Sequence, residues 1–167
     1  TCGACLSCST GRPALCGPGG DANGAGSLLG GYRRLMAAGG REGIGARPDG
    51  VLNHHMGCSA FAEYATVSRR SVVRIDPGLA WDEAALFGCA VLTGAGAVFN
   101  TARMEAGARA AVVGLGGVGF SSLLAAAACG ARAIVAVDLL DSKLETARSL
   151  GATHCFNAAD PQIIDKV

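Results

Sequence analysis

The sequence has few of the features that mark several large classes of protein. Only 16% of its 167 residues are charged and 5% are aromatic, while 50% are hydrophobic, which excludes a disordered, tail-like chain. The net charge is +1 and the basic residues are scattered, so no nucleic-acid partner is predicted. No apolar run is expected to reach the roughly 18–20 residues of a membrane span, because Gly, Ser and Arg interrupt each one.

The first residues do not show the pattern of a targeting signal. The chain begins with Thr1 rather than Met, and no charged segment is followed by an apolar one. A secretory signal peptide is therefore not predicted. We expect a cytoplasmic protein without a membrane partner, and a chain that is part of a longer protein.

Cysteine, by contrast, is abundant and unevenly placed. Four of the eight cysteines lie within the first 16 residues, as Cys2, Cys5, Cys8 and Cys16. Because nothing indicates an oxidising compartment, this cluster favours a metal site over disulfides. Four thiolates without a histidine are typical of a closed, structural zinc site. An iron–sulfur cluster and four unrelated thiols are the alternatives.

The first hundred residues predict a loop-rich region followed by helix. Residues 17–50 are rich in Gly, Pro, Asp and Asn, which indicates loops with short extended pieces. Alternating apolar residues predict short strands at 58–67 and 72–75, and the Asp-Pro-Gly sequence at 76–78 predicts a turn. Residues 82–102 favour two helices or one bent helix, with Trp81 and Phe87 as packing residues.

The remaining residues alternate between strand and helix patterns. Apolar runs predict strands at 109–113, 133–137 and 154–157, and helices at 120–129 and 142–150, with a third helix beginning at residue 161. Asp141 or Ser142 is the predicted cap of the second helix. This order of elements predicts a parallel sheet.

A glycine-rich turn joins the first of these strands to its helix. Gly114 permits a tight turn, Gly116 lets the backbone approach a pyrophosphate, and Gly119 lets helix and strand pack closely. Asp138 ends the next strand, where a carboxylate accepts hydrogen bonds from ribose hydroxyls and repels a 2′-phosphate. The predicted cofactor is therefore NAD rather than NADP. Lys143 is either a second ribose contact or a solvated lysine, and a turn without a ligand is the alternative for the whole motif.

Taken in series, these motifs resemble the zinc-dependent medium-chain alcohol dehydrogenases. CGACLSCSTGRPALC is similar to the family's structural-zinc lobe, and FGCAVLTGAGA at 87–97 to its junction between domains. GLGGVG at 114–119 and LGATH at 150–154 match its coenzyme domain. HHMGCSAFAEY at 54–64 is similar to a segment of the glutathione-dependent formaldehyde dehydrogenase branch.

The resemblance implies an α/β fold in two parts. Residues 1–90 would form the C-terminal part of a GroES-like, mainly-β catalytic domain, with a zinc lobe at 1–16. Residues 91–167 would form the first half of a Rossmann doubly wound parallel sheet. The strand at 109–113 would then lie at a free edge, which invites association.

The resemblance also implies a role for each matching residue. Cys89 would be a ligand of the catalytic zinc, Thr93 would lie beside the nicotinamide ring, and Val118 would be an apolar neighbour of that ring. Without the resemblance, Cys89 would be interpreted as a packing residue. The implied structural-zinc ligands are Cys2, Cys5, Cys8 and Cys16, and the implied NAD-binding residues are Gly114, Gly116, Gly117, Val118, Gly119, Asp138 and Lys143.

Two further catalytic zinc ligands of the family have no match here. In the family, a first Cys and a Gly-His-Glu segment precede the structural lobe, and no His in this chain is followed by Glu. His54 and His55 are weak substitutes, because neighbouring side chains on a strand point to opposite faces. They are expected to be hydrogen-bonded instead. The isolated chain is therefore expected to be inactive.

The parent protein is expected to oxidise a small alcohol to an aldehyde or ketone with NAD, as a homodimer or homotetramer with zinc. Two other interpretations remain. One is a zinc-independent quinone or enone reductase that uses NADPH, against which the cysteine lobe and Asp138 both count. The other is an inactive, zinc-stapled dinucleotide-binding fragment.

Overall fold

The computed structural model describes residues 1–37 and 49–166. They form two compact units, Thr1–Arg74 and Ile75–Val167. Residues 38–48, part of the predicted loop region at 17–50, lie outside the described residues. The functional domain boundary between residues 90 and 91 stays a prediction.

The first unit contains short helices and one pair of short antiparallel strands. Its elements are α1 (Leu6–Ser9), a 3₁₀ turn (Pro13–Leu15), α2 (Gly17–Gly24), the antiparallel strands β1 (Leu35–Met36) and β2 (Val51–Leu52), and a 3₁₀ turn (Arg69–Ser71). Helix α2 lies where loop was predicted. The Sγ of Cys16 caps it by accepting from the N–H of Gly19 at 3.3 Å, and Pro18 lies in its first turn. These features offset the low helix propensity of its glycines.

The two strands predicted at 58–67 and 72–75 are wrong. Within the described residues, both segments are turns and extended backbone without a strand partner. Tyr64 is 92% exposed and Val73 is 87% exposed, so the alternating pattern has no buried face here. A strand needs such packing and pairing to be stable. The turn at 76–78 is confirmed, since the Leu79 N–H donates to the Asp76 carbonyl at 3.1 Å.

The second unit begins with one long helix, Trp81–Thr101. It consists of α3 (Trp81–Leu86) and α4 (Leu92–Gly96), each followed by a π-helical turn, at Phe87–Val91 and Ala97–Thr101. The segment confirms the helix prediction as one continuous helix. Its 21 residues have the length and composition of a membrane span, so the expectation that every such run is interrupted is wrong. A helix of this length and composition also occurs in the cores of soluble proteins.

Two aromatic side chains of the long helix differ from the prediction. Trp81 is 85% exposed and Phe87 is 51% exposed, so neither is a buried packing residue within the described structure. Gly94, by contrast, faces α5 (Gly117–Ala128) closely: a Cβ there would lie 2.6 Å from Ser121 Cβ. Ser122 Oγ donates to the Gly94 carbonyl at 3.1 Å. Gly94 therefore sets the distance between the long helix and α5.

A three-stranded parallel sheet follows, with the strand order β3-β4-β5. The elements are β3 (Arg109–Val113), α5, β4 (Ala133–Asp138), α6 (Asp141–Ser149), β5 (His154–Asn157) and α7 (Ile163–Lys166). This confirms the predicted alternation and places β3 at an edge in the described structure. The cap of α6 is Leu140 rather than Asp141 or Ser142, and no side chain caps it. Asp141 instead lies in the first turn, where its charge favours the helix dipole.

The core of this unit lies between the sheet and its helices. Leu123 and Ile134 are almost fully buried, and small residues beside them let helix and strand approach closely. The core cluster consists of Leu115, Leu123, Ala126, Ile134, Ala136, Leu144 and Ala147. Leu115 belongs to the glycine-rich turn, so the core anchors that turn directly.

Candidate functional site

The first candidate site is the four-cysteine cluster of the first unit. The Sγ atoms of Cys2, Cys5, Cys8 and Cys16 all lie within 4.8 Å of one another. A zinc ion with four sulfur ligands at about 2.3 Å places those sulfurs about 3.8 Å apart. Cys2 Sγ and Cys8 Sγ are already 4.0 Å apart. The cluster thus has the donor atoms and the approximate spacing of a tetrahedral thiolate site.

Backbone N–H groups point at two of these sulfurs. The N–H groups of Ala4 and Cys5 donate to Cys2 Sγ, at 3.5 and 3.3 Å, and lower the pKa of Cys2 to about 6. The N–H of Cys2 donates to Cys16 Sγ at 3.2 Å and is the main cause of the lowered pKa of Cys16. These bonds stabilise thiolates, the form that binds metal.

The pKa of the Cys8 thiol is raised, in contrast to those of Cys2 and Cys16. The N–H of Gly3 lowers its pKa, but desolvation and the neighbouring thiols outweigh this effect and raise the pKa to about 11. Four adjacent thiolates repel one another, so the full set ionises only with a cation among them. A soft divalent metal supplies that charge. The donor set therefore fits zinc.

Arg70 adds a positive charge beside this lobe. Its Nη1 donates to the Cys2 carbonyl at 3.0 Å. The guanidinium also occupies the space in which a side chain at Gly3 would lie, and Gly3 has a φ of +76°. Sequence reasoning missed Arg70, since its distance of 68 residues from Cys2 hides the contact.

The second candidate site is the glycine-rich turn between β3 and α5. Gly114 has a φ of +89°, which only glycine adopts readily. A Cβ at Gly119 would overlap the Gly114 carbonyl oxygen, so helix and turn meet there without space for a side chain. A Cβ at Gly116 would meet nothing within 4 Å, so this backbone faces open space. Gly117 begins α5, and its Cβ would lie 3.2 Å from that of Ala90.

A groove of about 980 Å³ adjoins the turn. It follows β3 and α5, and its lining includes Gly114, Gly116, Gly117, Val118 and Gly119. The glycine-rich turn therefore borders a space large enough for part of a ligand.

Asp138 lies beside the same turn at the carboxyl end of β4. Its Oδ2 accepts from the N–H of Leu115 at 2.7 Å, and its Oδ1 from the N–H of Leu140 at 3.0 Å. These two donors are the main causes of its lowered pKa, and Lys143, whose Nζ lies 3.7 Å from Oδ2, adds to the effect. The Asp138 carboxylate is therefore ionised at neutral pH, with Lys143 next to it.

The residues proposed for the catalytic zinc and the nicotinamide ring are less constrained. Cys89 is exposed in the π-helical turn Phe87–Val91, and Thr93 is exposed one turn later. Val118, in the first turn of α5, is 42% exposed. Among the residues that the structure describes, Cys89 belongs to no group of three or more metal-binding side chains.

Two of the three histidines, His54 and His154, make local side-chain hydrogen bonds. His54 Nε2 accepts from the N–H of Arg34 at 3.0 Å, and its Nδ1 lies 3.3 Å from Ser59 Oγ. His154 Nδ1 lies 2.8 Å from Thr153 Oγ1. His55 is exposed. The hydrogen-bonded interpretation of His54 therefore agrees with its contacts.

Asn157, at the end of β5, was also missed by sequence reasoning. Its Nδ2 donates to Asp141 Oδ1 at 2.8 Å and to the Leu139 carbonyl at 3.2 Å. The contact depends on strand register, in which Asn157 pairs with Asp138 across the parallel strands, and no local sequence pattern shows it.

The proteins that this sequence matches are dehydrogenases. The family model described as a zinc-binding dehydrogenase matches residues 117–167. An S-(hydroxymethyl)glutathione dehydrogenase of Synechocystis sp. is 38% identical over 168 residues, covering 95% of this chain and 40% of the relative. An alcohol dehydrogenase class-3 of Caenorhabditis elegans is 42% identical over 125 residues, covering 70% of this chain and 33% of the relative. The chain thus spans about two fifths or less of these relatives.

Solved structures agree with the fold. The alcohol dehydrogenase zinc-binding domain protein of Burkholderia ambifaria is 32% identical with a TM-score of 0.85, and the match covers 99% of this chain and 43% of the Burkholderia chain. The benzyl alcohol dehydrogenase of Acinetobacter calcoaceticus is 34% identical with a TM-score of 0.78, and the match covers 99% of this chain and 42% of the Acinetobacter chain. The α/β fold class and its Rossmann-like half sheet are thereby confirmed. Along 95% of its length the chain is thus similar to zinc-dependent medium-chain alcohol dehydrogenases, and to S-(hydroxymethyl)glutathione dehydrogenases among them.

Proposed function

We propose that the protein containing this chain is a zinc- and NAD-dependent alcohol dehydrogenase that oxidises an alcohol to an aldehyde or ketone. One observation carries the proposal: a single chain combines a cluster of four Sγ atoms with a glycine-rich turn beside an ionised Asp138. The names of its relatives point to the same reaction class.

The four-cysteine cluster would hold a structural zinc ion. Four protein ligands leave no open position for water or substrate, so this site orders the lobe and does not react. Helices α1 and α2 bury no side chain completely and cannot form an apolar core. Metal binding would therefore contribute much of the stability of this lobe.

Cys89 would be one ligand of a catalytic zinc ion. Zinc at such a site supplies Lewis-acid polarisation of the substrate oxygen. The exposure of Cys89 in a π-helical turn suits a ligand that other groups must complete. Because Cys89 belongs to no group of three or more metal-binding side chains among the described residues, we propose that these 167 residues alone are inactive.

The turn and its neighbours would bind NAD, which accepts hydride when bound. The open side of Gly116 would admit the pyrophosphate, and the first N–H groups of α5 would bind its oxygens. The Asp138 carboxylate and Lys143 would hold the adenosine ribose, and the charge of Asp138 would disfavour NADP. Thr93 and Val118 would place the nicotinamide ring.

The substrate we propose is a hydroxymethyl adduct of a thiol, such as glutathione, whose –CH2OH group loses a hydride to NAD and a proton to give the S-formyl thioester in place of a free aldehyde or ketone. This choice rests on the relatives that are named S-(hydroxymethyl)glutathione dehydrogenase. We also propose a cytoplasmic homodimer or homotetramer that acts on small molecules, without a nucleic-acid or membrane partner.

Two experiments test these proposals on the full gene product. Calorimetric titration should show tighter binding of NAD⁺ than of NADP⁺, and the reverse order would favour the zinc-independent reductase interpretation. Absorbance at 340 nm should show NADH formation that requires the thiol adduct and is abolished by Cys89→Ser. Cys129→Ser, at the end of α5, is the matched control and should retain activity. An active Cys89→Ser variant would contradict the proposal.

A further inference from the structure

The side chain of Asn157 is held at both ends of its amide. Its Nδ2 donates to Asp141 Oδ1 at 2.8 Å and to the Leu139 carbonyl at 3.2 Å. Its Oδ1 accepts from the N–H of Ala159 at 2.9 Å. Asn157 therefore connects the end of β5 to the turn between β4 and α6.

That turn has little apolar packing to hold it. Leu139 and Leu140 are 65% and 53% exposed. The remaining contacts are polar: the Leu140 N–H donates to Asp138 Oδ1 at 3.0 Å, and the Ala158 N–H donates to the Asp138 carbonyl at 3.0 Å. The conformation of the turn thus depends on a few hydrogen bonds, two of which come from Asn157.

The turn also connects the two charged groups of the candidate ribose site. Asp138 precedes it, and Lys143 follows it in the first turn of α6. If the Leu139 carbonyl and the Asp141 carboxylate lose their donor, the Leu140 N–H can withdraw from Asp138. The carboxylate is then free to rotate, and Lys143 moves with α6.

We propose that Asn157 is a positioning residue, which fixes the β4–α6 turn and thereby orients Asp138 and Lys143 toward the ribose hydroxyls of NAD. This inference rests on the proposed function and deepens it, because it names a residue outside the cofactor contacts that controls them. Asn157 reaches the ribose only through the turn. Its loss should therefore weaken the ribose contact specifically.

Asn157→Asp is the sharpest single substitution. It keeps the size of the side chain and the oxygen that accepts from Ala159, but it replaces the donor with an oxygen that faces the Asp141 carboxylate. We expect the Kd for NAD⁺ to rise roughly 3- to 10-fold, the effect of about one hydrogen bond. Asn100→Asp, the same chemical change at the exposed end of the long helix, should leave the Kd unchanged.

A charge exchange tests the contact itself. In the Asn157→Asp, Asp141→Asn double variant, the amide and the carboxylate have exchanged places, so one hydrogen bond can form again. We expect this variant to recover part of the lost affinity. Equal Kd values for the double variant and Asn157→Asp would overturn the role of the Asp141 contact. Should Asn157→Asp fail to fold, Asn157→Ala removes the donor without adding charge and gives the same comparison.

A ligand pair separates positioning from a purely structural role. Calorimetry with ADP-ribose and with its analogue lacking the adenosine 2′- and 3′-hydroxyls should show a loss of affinity only for ADP-ribose. Equal losses for both ligands would overturn the proposal. Hydrogen exchange of the Leu140 amide should be faster in Asn157→Asp even without ligand.

The same titrations distinguish two kinds of failure. If the unsubstituted protein binds neither NAD⁺ nor ADP-ribose, the proposed function fails, and this inference fails with it. If the unsubstituted protein binds both and Asn157→Asp binds them equally well, only the role of Asn157 is refuted.

Discussion

Two glycines of the same turn should respond to alanine in opposite ways. A Cβ at Gly119 would overlap the Gly114 carbonyl oxygen and lie 3.0 Å from its carbon. Both are backbone atoms, so the turn or α5 must shift, at a cost of about 3 kcal/mol for overpacking. Alanine recovers about 1 kcal/mol because it favours helix over glycine. The net loss for Gly119→Ala is then about 2 kcal/mol.

Gly116→Ala is the matched comparison. Its Cβ would meet nothing within 4 Å, and its φ of −83° is accessible to alanine. The free energy of unfolding should change by less than about 0.5 kcal/mol. The new methyl group would instead occupy the side from which we propose the pyrophosphate approaches. We expect Gly116→Ala to weaken NAD⁺ binding by roughly tenfold or more, which is about 1.4 kcal/mol.

Thermal unfolding and calorimetric titration measure the two effects separately. Gly119→Ala should lower the Tm by about 4–8 °C, at 2–4 °C for each kcal/mol, whereas Gly116→Ala should keep its Tm and lose affinity. The reasoning is refuted if Gly116→Ala destabilises the protein as much as Gly119→Ala does. It is also refuted if Gly116→Ala binds NAD⁺ as tightly as the unsubstituted protein.

Three further predictions follow from the charged groups and the sheet edge. The pKa of the Asp138 carboxyl is lowered in the fold, so ionised Asp138 stabilises the protein fully above the ordinary pKa of 3.8, and this stabilisation is lost as the pH falls through the lowered pKa. The difference in Tm between the unsubstituted protein and Asp138→Asn should therefore be constant from pH 7 to about pH 5 and shrink only in stronger acid. Arg70→Met removes a positive charge and a hydrogen bond from the cysteine lobe, so a colorimetric chelator should extract zinc about 2- to 5-fold faster, as expected for an exposed charge contact, whereas Arg69→Met should not change the rate. Since β3 lies at a sheet edge and Val113 is 79% exposed, sizing of the 167-residue chain should show association that Val113→Lys reduces, and a sharp monomer peak at all concentrations would contradict this.

The second unit could be predicted well because its patterns are local. The strands at 109–113 and 154–157 appear with the predicted bounds, and the glycine-rich turn lies between strand and helix as expected. Each strand is a short apolar run followed by a helix, so burial and connection length specify the same structure. The start of α5 lies three residues earlier than the predicted residue 120, because the glycines of the turn already belong to the helix.

The first unit could not be predicted in the same way. Its strands at 58–67 and 72–75 were inferred from alternation, but alternation forms a strand only when a partner and a buried face exist. Helix α2 was missed because a cysteine side chain caps it, and the composition alone favours loop. Arg70 and Asn157 act through contacts over long or cross-strand separations, which no local pattern shows.

The metal content of the purified, reduced chain tests the central claim most directly. Elemental analysis should find one zinc ion per chain, held by the cluster of Cys2, Cys5, Cys8 and Cys16. Cys16→Ser should lose that zinc, while Cys129→Ser should retain it. Absence of metal under reducing conditions, or iron in place of zinc, would contradict the account of the lobe as a closed zinc site.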